Sequence, residues 1–186
     1  SRFEGRPIQR FWLLGTVTRI PFLAFGSALI GLELVGLWRN VGLRQLHAAE
    51  EWNELHNLLI MESLCGGTLL SDRFVANHLA LAFYGLTYIT YLVSPRITYE
   101  LSELLAVDAL DSYNAFVARN SARLAELPPP WVAKSYYSNV TATDPSAEIQ
   151  MQLGGLRRPP CASLRDVFTN IVDDEFEHVA NLDACQ

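Results

Sequence analysis

"EEWNELHNLLIMES", residues 50–63, sets Glu54 in an apolar, helix-forming stretch with Asn57 three positions further on. Residues i and i+3 share one helix face. In helical bundles that hold two metal ions the second member of such a pair is a histidine, giving Glu-x-x-His. Near the C-terminus "DDEFEH", residues 173–178, has the complete form in Glu175 and His178. One ligand pair is whole and the other has lost its imidazole, and both spacings require helices.

Working outward from these stretches, apolar residues recur at helical period over most of the chain. Residues 10–20 read as a first helix, with Pro21 ending or bending it. The apolar stripe continues from Phe22 to Trp38. Residues 42–64 carry Leu43, Leu46, Trp52, Leu55, Leu59 and Met61 on a periodic face, with Gly66-Gly67 as the stop signal. A further helix runs from Ile97 to Leu127, its acids Glu100, Glu103, Asp108 and Asp111 spread around the cylinder, and "LPPP" at 127–130 breaks it. Residues 138–160 are polar and rich in turn formers, which predicts a loop. Ser163, with Asp166 three residues on, reads as the N-cap of a last helix reaching about Ala184. No strand pattern competes, so the fold class is all-α.

Composition bounds the function. At 186 residues the chain is expected to form one helical domain, 1–186. Fourteen basic residues against 20 acidic ones give a formal charge of −6, and no basic run is present to neutralise a phosphate backbone, which argues against a nucleic-acid partner. Three cysteines, Cys65, Cys161 and Cys185, have no paired spacing, so a reducing compartment and structural or incidental roles are expected. The chain starts at Ser1 and displays no targeting pattern, so compartment has to come from other signals.

Half of the residues are apolar and the mean hydropathy is +0.14, high for a freely soluble domain. "IPFLAFGSALIGL" (20–32) and "LALAFYGLTYITYLV" (79–93) supply much of this. Both fall short of the roughly 20 apolar residues a spanning helix needs, so helices lying against a membrane face are expected rather than helices that cross it, with a buried core helix as the alternative.

At full length the sequence resembles the plastid terminal oxidases, plastoquinol oxidases related to the mitochondrial alternative oxidases. "EEWNELHNLLIMESLCGG" resembles the family's E-x-W-N-E-x-H-H-L-L-I-M-E-x-L-G-G, "LVSPRITYELSE" its L-S-P-R-M-A-Y-x-F-S-E, and "DVFTNIVDDEFEH" its D-V-F-V-N-I-R-D-D-E-A-E-H. "FWLLGTVTRIPFLAF" is similar to F-x-x-L-E-T-I-A-R-V-P-Y-F-A-F. The resemblance implies a ferritin-like four-helix bundle with flanking membrane-interface helices, a di-iron centre, a quinol substrate and a chloroplast location on the thylakoid membrane, held peripherally or monotopically.

Carried over position by position, the same resemblance shows what is missing. The glutamate of L-E-T is replaced by Gly15, and no Asp or Glu lies between Glu4 and Glu33 to substitute for it. The second histidine of H-H is Asn57, and His56 stands one position off the ligand face. The glutamate three residues past the S-E pair is Ala106, with Glu103 displaced by about 4.5 Å along the helix. Glu54, Glu175 and His178 remain as a metal-binding remnant, three of six positions, which is expected to be too few for the di-iron centre. Tyr113 matches the family's tyrosine close to the metals and, without them, reads as a packed bundle tyrosine. Asp174 reads as an acceptor or a capping charge, and Val172 replaces an arginine of the family pattern. His47 and His78 read as surface or interfacial histidines. Glu62, eight residues past Glu54, reads as a further polar contact of the bundle, and the spacing excludes Glu33 as a ligand.

Two functions from different classes follow. In one the chain is a catalytically degenerate relative of these oxidases, with no cofactor, serving as a structural or interaction subunit of a thylakoid complex. Its apolar pocket would be open to a quinone, lipid or pigment. In the other it is a divergent di-iron plastoquinol:oxygen oxidoreductase retaining partial metal binding. Metal content separates them.

Overall fold

The computed structural model describes residue 3, residues 5–138 and residues 159–186. Among these residues the regular elements are all helices: α1 (Pro7–Thr18), α2 (Ile20–Leu34), α3 (Val41–Ser63), α4 (Leu70–Val93), α5 (Pro95–Glu126), α6 (Trp131–Ser138) and α7 (Leu164–Ala184). The polar segment predicted as a loop lies, from 139 to 158, outside the described residues.

Local chemistry fixes the ends of these helices. Proline occupies the first turn of α1, α2 and α5, where its missing N–H leaves nothing unsatisfied. Pro21 also removes the donor that would bond Val17, and the chain breaks at Arg19, so α1 and α2 are two helices rather than one. Asn40 caps α3 by accepting from the Leu43 amide at 3.0 Å. Ser163 and Asp166 form the expected reciprocal capping box on α7. The stripe predicted to reach Trp38 stops earlier. Gly36 (φ 74°) ends α2, with Leu37 N–H bonded to Leu32 O and Gly36 N–H to Glu33 O.

The stop after α3 differs from the expectation. Cys65 (φ 65°), not a glycine, takes the left-handed position, with Gly66 N–H bonded to Met61 O at 2.9 Å. Gly66 and Gly67 serve a close approach instead. A Cβ on Gly66 would lie 2.5 Å from Trp12 Cβ, and one on Gly67 2.7 Å from Trp12 Cε2. Trp12 of α1 therefore packs on bare backbone, and its Nε1 donates to Glu62 at 3.3 Å.

The core is the ferritin-like bundle of α1, α3, α5 and α7. The most extensive packing joins α5 to α7, while α1 lies on α3 and α5, and α3 also touches α7. α2 and α4 flank it, packed on each other. One apolar cluster centres on Phe11, Trp12, Tyr113 and Phe168, a second on Phe22, Phe25, Leu29, Tyr91 and Tyr99.

The two apolar stretches part company in the fold. Phe22, Ala24, Phe25, Ala28 and Leu29 of α2 are buried, leaving Leu23 and Ile30 outside. α4 instead exposes Leu79, Leu81, Leu86, Ile89, Leu92 and Val93, and α5 continues the surface with Ile97, Leu101 and Leu104. Among the described residues the one stretch long and apolar enough to cross a membrane is Pro7–Leu34, and 56% of its most apolar window is buried inside the protein, as in a core helix.

Candidate metal centre

α3 and α7 bring the two ligand pairs together. Glu54, Glu175 and His178 are all buried, and one ligand atom from each lies within 4.8 Å of the others. His178 Nδ1 is 3.5 Å from Glu54 Oε1 and 3.9 Å from Glu175 Oε2, distances that fit ion pairing and are too long for good hydrogen bonds. Glu54 Oε2 accepts from Thr18 Oγ1 of α1 at 3.0 Å. Burial pushes the Glu175 carboxyl up to about 7, helped by the neighbouring Glu54 charge. Burial acts to lower His178, but Glu175 and Glu54 outweigh it and hold the imidazole well above its ordinary value.

Of the three altered positions, Ala106 lies beside Glu54, Asn57 one turn along α3 from it, and Gly15 against Leu58 of the same helix. Gly15 is buried on α1, one turn before Thr18, and its missing Cβ points at Leu58, 3.8 Å from that residue's Cα. Ala106 is buried and lines a cavity of about 10 Å³ with Glu54, Thr18, Ser102 and Leu182. Asn57 is buried one turn past Glu54. Its Nδ2 donates to Asn53 Oδ1 at 3.3 Å, and its Oδ1 has no hydrogen-bond partner.

The di-iron centre implied by the resemblance does not fit this donor set. Two ions share four carboxylates and two imidazoles in such bundles, whereas this axis offers two carboxylates, one imidazole and an amide. The space beside Ala106 is about that of one water.

Around the axis the other expectations are sorted by burial. Tyr113 is buried, stacked on Phe11 with ring centroids 4.4 Å apart, and its phenol is raised well above the ordinary value by burial and then by the Glu175 and Glu54 charges. Asp174 accepts from Tyr137 at 3.1 Å. Val172 is half-buried against the first apolar cluster. Glu103 sits off the axis and bonds Gln186. His56 is half-buried, bonded to Trp52 O and stacked on Tyr136. Glu33 pairs with Arg39 and Arg44. Glu62 is exposed near the end of α3, facing away from the buried Ile60 and Met61, and makes the expected polar contact with the bundle by accepting from Trp12.

The surface reading of His47 is corrected, while His78 is exposed as expected. His47 is 1% exposed, with Nδ1 2.9 Å from Glu50 Oε2 and Nε2 2.9 Å from Tyr99 Oη. Tyr99 Oη in turn lies 3.0 Å from Tyr91 Oη. Burial raises both phenols above the ordinary value. The signal was present in the sequence: His47 and Glu50 have the same i, i+3 spacing that singled out Glu175 and His178. Thr18, Asn53 and α6 carried no comparable mark.

Comparison with known proteins agrees with this arrangement. The sequence model of the alternative oxidase family matches residues 2–185. The chloroplastic/chromoplastic ubiquinol oxidase 4 of Arabidopsis thaliana is 39% identical over 187 residues, covering 99% of this chain and 52% of that protein. The chain thus spans about half the length of the curated relative it matches. No solved structure matches it. Matched across nearly its whole length, with one ligand pair intact on the bundle axis, the chain belongs to the alternative oxidase family.

Proposed function

We propose that this chain is a catalytically degenerate member of the family that acts as a structural or interaction subunit of a thylakoid membrane complex. One observation carries the reading: the three positions that match ligands in the family pattern, Gly15, Asn57 and Ala106, bear no carboxylate or imidazole. A buried pair of irons without those donors would lack two of four carboxylates and one of two imidazoles, and the charge of the metals would go uncompensated. The name of the Arabidopsis relative supports a plastid location. The apolar face of α4 and early α5 supports a peripheral or monotopic seat, because a contiguous exposed apolar surface favours lipid or a partner over water.

The competing reading, a divergent plastoquinol:oxygen oxidoreductase retaining partial metal binding, has the surviving Glu54, Glu175 and His178 in its favour, with Tyr113 beside them. Oxygen uptake by purified protein in vesicles containing plastoquinol decides between the two, measured with its iron content. The expected result is no quinol-dependent uptake. Two irons per chain with quinol-dependent uptake would overturn the proposal.

A further inference from the structure

We propose that Glu54, Glu175 and His178 hold a single divalent transition-metal ion, a mononuclear site standing where the family resemblance implies a two-iron centre. The inference rests on the reading above only in taking positions 15, 57 and 106 as lost ligands.

Geometry is the first support. Around an ion with bonds of about 2.1 Å, donors at the corners of a tetrahedron stand about 3.4 Å apart. The His178 Nδ1 edges of 3.5 and 3.9 Å are near that spacing, and one ligand atom from each of the three residues lies within 4.8 Å of the others, so a modest contraction closes the set on one ion. The second support is independent of the cluster's composition. Glu175 Oε2, His178 Nδ1 and Asn57 Oδ1 are buried polar atoms without hydrogen-bond partners. Native proteins rarely leave such atoms unsatisfied, and two of them, Glu175 Oε2 and His178 Nδ1, stand 3.9 Å apart inside the cluster. Asn57, one turn past Glu54 on α3, leaves its buried Oδ1 without a hydrogen-bond partner.

Charge and space select the ion. Two carboxylates neutralise one divalent ion, whereas two ions would leave an unbalanced positive charge in a dry core. An imidazole and few oxygens suit zinc, iron, cobalt or manganese. Calcium takes six to eight oxygens, which the 10 Å³ cavity beside Glu54 has no room to supply as waters. That cavity admits about one water, enough for one open coordination position.

The test uses purified full chain stripped by a chelator and titrated with Co²⁺, then competed with Zn²⁺. Expected are one Co²⁺ per chain, visible d–d bands of a four- or five-coordinate ion, and a rise in Tm on loading. Glu54→Gln and His178→Gln should weaken binding by more than about tenfold, while Glu33→Gln binds as wild type. No saturable binding by wild type overturns the inference and leaves the degenerate-oxidase reading standing. Two ions per chain overturn the inference, and with quinol-dependent oxygen uptake the degenerate-oxidase reading as well. One ion bound equally by both variants places the site elsewhere and overturns the inference. Where the variants do not fold, the proton spectrum of Co²⁺-loaded wild type decides, because a single histidine ligand gives a paramagnetically shifted, exchangeable imidazole resonance and its absence overturns the proposal.

Discussion

Replacing Gly15 tests whether the slot is merely vacant. The residue sits inside α1 with a right-handed backbone, so it does not need glycine for its conformation. A methyl group there would meet Leu58 Cα at 3.8 Å and Leu58 Cβ and Cδ1 at 3.9 Å, ordinary van der Waals distances. It does not need glycine for space either. Gly15→Ala therefore removes a helix-interior penalty of about 1 kcal/mol and adds a buried methyl worth up to about 0.8 kcal/mol. The sum, roughly 1–2 kcal/mol, corresponds to a Tm rise of roughly 2–8 °C for a chain of this size.

Gly66→Ala is the control in the same contact region. Its Cβ would lie 2.5 Å from Trp12 Cβ and 2.8 Å from Met61 O, and the backbone oxygen cannot yield, so a loss of about 1–3 kcal/mol is expected. Urea and thermal melts of the two variants beside wild type give both numbers. If Gly66→Ala behaves as described but Gly15→Ala lowers stability by more than about 1 kcal/mol, against the expected gain, the glycine is there for a tight α1–α3 approach and the vacant-slot reasoning fails. Gly15→Glu should differ in sign from Gly15→Ala without metal, because it buries an uncompensated carboxylate against Leu58.

Stability should fall as pH rises. The folded Glu175 carboxyl lies near 7, above its ordinary value, so its contribution is complete below about 4.5 and is lost as pH rises through about 7. His178 is also raised, so its contribution is complete below its ordinary value and is lost on further alkalinisation. Metal-free melts from pH 5 to 9 should show this, and Glu175→Gln should remove the part around neutrality. Tyr99→Phe deletes a hydroxyl that bonds both His47 and Tyr91, with an expected cost of about 1–3 kcal/mol in urea melts. Ala106→Glu forces a carboxylate toward a 10 Å³ hole and should cost at least about 1–3 kcal/mol without metal. Leu101→Glu with Leu104→Glu should reduce flotation with lipid vesicles while leaving Tm within a few degrees, since both residues are exposed.

The sequence carried the helices whose ends are written in local chemistry. Ser163 and Asp166 announce α7, and Pro95 opens α5 after the break at Ser94. The pairs Glu54–Asn57 and Glu175–His178 were legible because i, i+3 spacing is a property of a single helix, whereas positions 15 and 106 were marked only by the family resemblance. What was not legible depends on contacts between helices. Gly66 and Gly67 look like a stop signal until Trp12 is seen lying on them. The apolar run of α2 looks like that of α4, and only packing buries one and exposes the other. Thr18 becomes a partner of Glu54 only when α1 meets α3. His47 looked like a surface residue because its partner Tyr99 is 52 positions away, on another helix.

The chain of contacts from Glu50 through His47 and Tyr99 to Tyr91 runs across α3, α5 and α4. Apolar packing tolerates a helix sliding along its neighbour by part of a turn, because greasy surfaces attract without direction. A relay of hydroxyl and imidazole does not, since a shift of α5 by 1.5 Å, one residue's rise, would break both inter-helix links of Tyr99, to His47 and to Tyr91, among buried side chains. These four side chains therefore act as a dowel pin through three helices. Because the pin shares no residue with Glu54, Glu175 and His178, the alignment of α3, α4 and α5 that it fixes does not depend on those three side chains.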